Sequence, residues 1–151
     1  MQEQVTNYMK ITLAGLSKNE ALARICAASF AAQLDPTIEE INDIKAAVSE
    51  AVTNCIVHAY PDKLGDIDIR LKILGSNTVY IRISDKGRGI ADVKQAMQPL
   101  FTTAPDSDRA GLGFAVMESF TDSLKVTSRV GKGTNVTMTK RIGRRYGSSD
   151  R

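Results

Sequence analysis

Residues 36–60, PTIEEINDIKAAVSEAVTNCIVHAY, decide the fold class, because an apolar helical repeat and a polar stripe run through the same segment. The repeat predicts one amphipathic helix over this whole length. Its apolar members are Ile38, Ile41, Ile44, Val48, Val52, Cys55 and Ile56. The polar stripe consists of Glu50, Asn54 and His58, which are spaced four residues apart and so share one face.

The polar stripe indicates chemistry. Asparagine is a poor helix former in mid-helix and needs a hydrogen-bonding reason to be there. A carboxylate and a carboxamide one turn apart can supply a general base beside an oxygen ligand for Mg²⁺. Glu50 and Asn54 are therefore candidate catalytic and metal-binding residues. For His58 the pattern favours a simpler interpretation, a helix-end residue that is hydrogen-bonded to the backbone.

The preceding segments predict a strand and a shorter helix. The strand covers residues 7–14, where apolar and polar side chains alternate loosely. The helix covers residues 17–34 and opens with a capping box formed by Ser17 and Glu20. Its apolar face comprises Ala21, Leu22, Ile25, Ala28 and Ala32.

The later segments predict an antiparallel sheet. Two β-hairpins are indicated, with strands at residues 67–73, 79–84, 124–130 and 134–140. A helix begins near Gly111, after a long polar loop over residues 85–110. Helices early and hairpins late predict an α+β fold: a two-layer sandwich with a mixed, mostly antiparallel sheet.

Composition and charge narrow the class of protein. The chain has 151 residues, of which 42% are apolar, and has neither a membrane-length apolar run nor a signal-peptide pattern. Two cysteines outside any CxxC pair indicate reduced, buried thiols in a cytoplasmic protein, and one histidine disfavours structural zinc. Residues 140–151 carry a net charge of +4 and the remainder −1, so no basic body suits nucleic acid. We expect one domain over 1–142, a disordered basic tail over 143–151, and no binding to membranes.

Two glycine motifs suggest a nucleotide. DKGRGI (85–90) follows a strand, so its glycines let backbone approach a flat ligand while the Asp85 carboxylate accepts hydrogen bonds. GLGF (111–114) opens a helix, where exposed amides favour phosphate, and Arg109 just before it can pair with a terminal phosphate. The glycines do not form a Walker A loop, and no GxGxxG occurs, so a Rossmann fold has no support from the sequence.

The order of these motifs resembles the GHKL superfamily of ATP-binding domains over residues 40–140. The resemblance implies that the long loop, about 92–110, is a mobile ATP lid. It implies a general base at Glu50, a Mg²⁺ ligand at Asn54 and adenine recognition by Asp85. The remaining nucleotide-binding positions it implies are Gly87, Gly89, Thr102, Thr103, Arg109, Gly111, Leu112, Gly113 and Thr134.

Within that superfamily the chain resembles the sporulation anti-sigma factor kinases. The matching segments are NEALARICAASFAAQLDPT (19–37), SEAVTNCIVHAY (49–60), DKGRGI (85–90) and residues 98–128. The resemblance implies that the protein is a homodimer, binds a sigma factor of the sigma F type through a surface including Arg24, and uses ATP to phosphorylate a serine on an anti-anti-sigma factor. Ala59 departs from the glycine expected there.

Two alternatives remain. The first is a stress-response anti-sigma kinase of the sigma B type, and the second is a nucleotide-gated module that binds a sigma factor without transferring phosphate. A general base is needed only for transfer, so the presence of Glu50 favours an enzyme. A sensor histidine kinase fragment is disfavoured, because no helix with an acceptor histidine is present.

Overall fold

The computed structural model describes residues 3–98 and 113–143. Its strands are β1 (Val5–Ala14), β2 (Asp66–Leu74), β3 (Thr78–Asp85), β4 (Ser123–Arg129) and β5 (Gly133–Arg141). Its α-helices are α1 (Asn19–Ala31), α2 (Ile38–Asn54), α3 (Val93–Ala96) and α4 (Gly113–Phe120).

One five-stranded sheet, in the order β1-β2-β3-β5-β4, forms one layer of the protein. The α+β prediction is confirmed, and all four strand pairings among the described residues are antiparallel. Both predicted hairpins are present, β2 with β3 and β4 with β5. Because β5 pairs with β3, the end of β3 lies opposite the start of β5, with Asp85 facing Thr134.

The helical layer covers one face of the sheet and forms the core with it. Ile44, Val48 and Val52 of α2 are fully buried, as are most of the inward-facing apolar side chains of β2 and β3. Burying each such side chain contributes about 1.5–3 kcal/mol. Among the described residues, no helix is long and apolar enough to cross a membrane.

Three predictions about the helices are wrong in detail. Ser17 does not cap α1; the capping box belongs to Thr37 and Glu40 at the start of α2, where backbone N–H and side-chain oxygens bond reciprocally. Ile38 is 82% exposed, because it lies in the first turn of α2, outside the core. The buried face of α1 is also rotated from the predicted one: its buried members are Ala23, Ala27, Ala28, Phe30 and Ala31, while Leu22 and Ile25 are exposed.

The C-terminal end of α2 departs from a regular helix. Regular helix ends at Asn54, and Cys55–Ala59 forms a wider turn in which the Tyr60 N–H donates to Cys55 O at 3.2 Å. Single wide turns of this kind are frequent at functional sites. The helix predicted to extend to residue 60 is therefore regular only to Asn54, and its last turn, over Cys55–Ala59, is wider.

Candidate functional site

A pocket of about 230 Å³ lies where the end of α2, the loop after β3, the start of β5 and the start of α4 meet. We call it the main pocket. It brings together five predicted residues from four separate segments of the sequence: Asn54, Asp85, Gly89, Gly113 and Thr134. Its apolar lining includes Ala51, Ile90, Ala96, Phe114 and Val136. An apolar slot with a few convergent polar groups suits a flat aromatic ligand.

Asp85 is the main polar group of this pocket and is 9% exposed. Its Oδ1 accepts from the backbone N–H of Gly87 at 2.9 Å and of Thr134 at 3.2 Å. Its Oδ2 lies 3.5 Å from the Cys55 thiol. Burial raises the pKa of Asp85, while these three donors lower it and offset part of that effect. The two amides hold Oδ1 in place without neutralising the carboxylate.

Gly87 is required because its backbone lies against the wide turn after α2. A Cβ there would overlap Ala59 O and lie 2.5 Å from Ala59 Cβ. The Tyr60 hydroxyl ties the same two segments together, donating to Asp66 O at 2.8 Å and accepting from the Lys86 N–H at 2.7 Å. Gly87 itself does not line the main pocket but holds Asp85 through its amide.

Thr134 supports Asp85 from the opposite strand. Its backbone N–H donates to Asp85, and its hydroxyl shares a hydrogen bond of 2.7 Å with Ser128. The preceding Gly133, at φ +112°, passes so close to Asp85 O that a Cβ would overlap that oxygen. The segment GKGT (131–134) therefore holds the Asp85 carboxylate through a backbone amide.

Glu50 does not line the main pocket. It lines a polar cleft of about 480 Å³ with Arg24 of α1 and with Asn42, Lys45, Ala46 and Ser49 of α2. We call this the side cleft. Arg24 Nε lies 3.6 Å from Glu20 Oε1, and the Ser49 hydroxyl donates to the same oxygen. Glu50, the predicted general base, therefore lies in the same cleft as Arg24, the predicted partner-binding residue. Asn54, one turn further along α2, lines the main pocket instead.

Two basic residues also line the main pocket, His58 and Arg88. Burial lowers the pKa of His58, and the nearby Arg88 charge lowers it further. His58 is therefore favoured in its neutral form, which suits a hydrogen-bonding rather than a charged role.

Several predicted residues lie outside the described part of the chain. These are Thr102, Thr103, Arg109, Gly111, Leu112, most of the lid and the tail from residue 144. From the lid the structure describes residues 92–98, which include α3, capped by Asp92 accepting from the Gln95 N–H at 3.0 Å. Among the described residues, no group of three His, Cys, Asp or Glu side chains is arranged to hold a metal.

Cys55 and Gly133 belong to the site although no sequence motif indicated them. Cys55 directly follows Asn54 in the sequence and lines the same pocket. It was expected to be a buried thiol without a role in the site, but its thiol contacts Asp85. Cys26 is partly exposed rather than buried, because it lies on the outer side of α1.

Comparison with known proteins identifies the family. A model of the histidine kinase-like ATPase domain matches residues 14–140. The chain is 58% identical over 141 residues to the anti-sigma F factor of Caldanaerobacter subterraneus subsp. tengcongensis, covering 93% of this chain and 98% of that protein. It is 50% identical over 137 residues to the anti-sigma F factor of Clostridium beijerinckii, covering 90% and 95%.

Solved structures share the fold at lower identity. The RsbU and RsbW domains of Rv1364c from Mycobacterium tuberculosis match with a TM-score of 0.66 at 23% identity, covering 91% of this chain and 32% of that one. The mycobacterial sensor histidine kinase MprB matches with a TM-score of 0.55 at 20% identity, covering 68% and 72%. With the family model spanning most of the sequence and relatives at half identity or more over nearly its full length, the chain belongs to the anti-sigma F factors, within the histidine kinase-like ATPases.

Proposed function

We propose that this protein is an anti-sigma factor with ATP-dependent serine kinase activity. It binds a sporulation sigma factor of the sigma F type and transfers the γ-phosphate of ATP to a serine on an anti-anti-sigma factor. The observation that supports kinase activity is the position of Glu50. It lines the side cleft with Arg24, while Asn54 lines the main pocket. Transfer then requires a serine hydroxyl beside Glu50 to reach the γ-phosphate of a nucleotide held one helical turn away, at Asn54.

The nucleotide is assigned to the main pocket, with adenine against Asp85. A buried carboxylate whose Oδ1 is already held by two amides retains acceptor capacity on Oδ2, which suits the adenine amino group. Gly113 at the start of α4 offers an N-terminal helix end to the phosphates. The proposal adds Arg109 and Gly111 to that phosphate site on the family resemblance alone.

Magnesium fits this donor set. Mg²⁺ in phosphoryl-transfer sites is held by one or two protein oxygens together with substrate phosphates and waters. Asn54 lines the main pocket and would supply one such oxygen, the others coming from the nucleotide phosphates and water. When bound, the ion would neutralise charge on the triphosphate.

The transfer step needs little from the protein beyond positioning and charge. The serine oxygen forms a bond to the γ-phosphorus as the bond to the β,γ-bridging oxygen breaks, and ADP leaves. Glu50 accepts the serine proton, and Arg24 in the same cleft orients the incoming protein. The proposal includes a homodimer, which light scattering would test.

The decisive experiment is incubation with labelled ATP, Mg²⁺ and a candidate anti-anti-sigma protein, followed by phosphoserine analysis. Phosphoserine that disappears in Glu50→Gln supports the kinase. Sigma-factor binding that depends on nucleotide, without any phosphoserine, would replace the kinase with the nucleotide-gated module. Comparing sigma F-type and sigma B-type factors as binding partners separates the two regulatory classes.

A further inference from the structure

The two oxygens of Asp85 have different partners. Oδ1 accepts from two backbone amides and so has both of its lone pairs engaged. Within residues 3–98 and 113–143, Oδ2 has one protein partner, the thiol of Cys55 at 3.5 Å. Both side chains line the main pocket. The oxygen that remains available to a ligand is therefore the one that Cys55 contacts.

The thiol is suited to orienting this oxygen without saturating it. An ordinary cysteine thiol is mostly protonated at neutral pH, so in this contact the Cys55 sulfur donates and Asp85 Oδ2 accepts. An S–H group is a weak donor, which leaves the second lone pair of Oδ2 for a stronger one. Because the terminal torsion of aspartate is soft, a carboxylate held at Oδ1 alone retains freedom to twist.

We propose that Cys55 is a positioning residue that fixes Oδ2 of Asp85 toward the 6-amino group of adenine and so sets the preference for adenine over 6-oxopurines. This inference rests on the proposed function, in which Asp85 recognises adenine. A 6-oxopurine presents a carbonyl oxygen that forms no hydrogen bond with Oδ2. A 6-oxopurine therefore gains no affinity from an Oδ2 that is fixed toward this position, whereas adenine does.

The test uses the full chain with Cys55→Ala, Cys55→Val and Cys55→Ser, titrated with ADP and IDP by calorimetry in EDTA, so that metal binding at Asn54 does not contribute. Ala and Val remove the donor, and Val refills the space. We expect both to weaken ADP binding by about 3–10-fold, while IDP binding stays within about 2-fold of wild type. Serine keeps a hydrogen-bond donor, so Cys55→Ser should retain most of the wild-type ratio of ADP affinity to IDP affinity.

A purely structural role for Cys55 predicts a different result. ADP and IDP affinities would then fall together, in step with the melting temperature, and the proposal would be wrong. An unchanged ratio in both Ala and Val would also overturn it.

Asp85→Asn, measured in parallel, separates the two levels of inference. Unchanged ADP affinity in Asp85→Asn would remove the adenine assignment, and with it the role of Cys55. Reduced ADP affinity there, with an unchanged ratio in the Cys55 variants, would remove only the role of Cys55.

Discussion

Glu50 and Asn54 lie one helical turn apart on α2, yet Glu50 lines the side cleft and Asn54 lines the main pocket. Four residues advance a helix by slightly more than one full turn, so the second side chain is rotated by about 40° from the first. The two side chains therefore point in different directions, and each lines a different cavity. Substituting Glu50 should therefore affect phosphoryl transfer, whereas substituting Asn54 should affect nucleotide binding.

Glu50→Gln should abolish most phosphoryl transfer while leaving nucleotide binding intact. Glutamine keeps the side-chain volume but cannot accept the serine proton, and losing a general base costs about 10²–10⁴-fold in rate. Kinetics of serine phosphorylation and ADP affinity, measured on the same preparation, check this. Asn42→Ala, in the same cleft, is the matched control and should retain transfer. Full activity in Glu50→Gln would remove it from the mechanism.

Asn54→Ala should weaken nucleotide binding in the presence of Mg²⁺ and have little effect in EDTA. The amide is assigned to the metal, so its loss matters only when the metal is bound. Titrations of ADP with and without Mg²⁺ measure the difference directly. Equal losses under both conditions would mean that Asn54 contacts the nucleotide itself.

Nucleotide binding should weaken with acid at a higher pH than an ordinary aspartate would produce. Burial raises the pKa of Asp85, so its carboxylate gains a proton earlier as pH falls and loses an acceptor. Binding is therefore complete above the folded-state pKa and is lost as pH falls through it.

Asp85→Asn provides the reference for that pH profile. It should lower ADP affinity at neutral pH by about 10-fold or more, which corresponds to about 1.4 kcal/mol. ADP binding by this variant should also lose the part of its acid sensitivity that comes from protonation of Asp85. Protonation of the ADP phosphates affects both proteins equally and so does not contribute to the difference. Parallel profiles for the variant and wild type would contradict the assignment.

Gly87→Ala should destabilise the protein by about 1–3 kcal/mol, as overpacking does elsewhere, and should weaken ADP binding. The added methyl group would press on Ala59 and displace the amide that holds Asp85 Oδ1. Adding Ala59→Gly removes the methyl–methyl part of the overlap and should recover part of both losses. Denaturant unfolding and calorimetry measure them, and a silent Gly87→Ala would refute the packing argument.

Thr37→Ala should cost about 1 kcal/mol of unfolding free energy, whereas Ser17→Ala should change it by less than about 0.5 kcal/mol. Thr37 makes the capping-box hydrogen bonds of α2, and the exposed Ser17 has no side-chain cap to lose. Urea unfolding of both variants compares them. Equal costs would restore the capping box expected at Ser17 from sequence.

Local patterns were sufficient where neighbouring residues decide the structure. The alternation in residues 67–73 and 79–84 predicts a hairpin because inward side chains must alternate with outward ones, and β2 and β3 follow it. The face of α1 could not be predicted in the same way. An Ala-rich helix has several nearly equivalent apolar stripes, and packing against the rest of the core buried the one made of four alanines and Phe30, leaving Leu22 and Ile25 outside.

The sequence by itself determined the α+β class, the hairpins, and the residue types that meet around Asp85, because periodicity and motif order are properties of the chain. The tertiary structure alone decided which atoms serve which purpose. It assigned Oδ1 of Asp85 to two amides, one from the loop after β3 and one from β5, brought Cys55 to Oδ2, and put Glu50 in a different cavity from Asn54. These relationships depend on how a widened turn after α2 packs against the β3–β5 edge, and such long-range contacts leave no periodic trace in sequence.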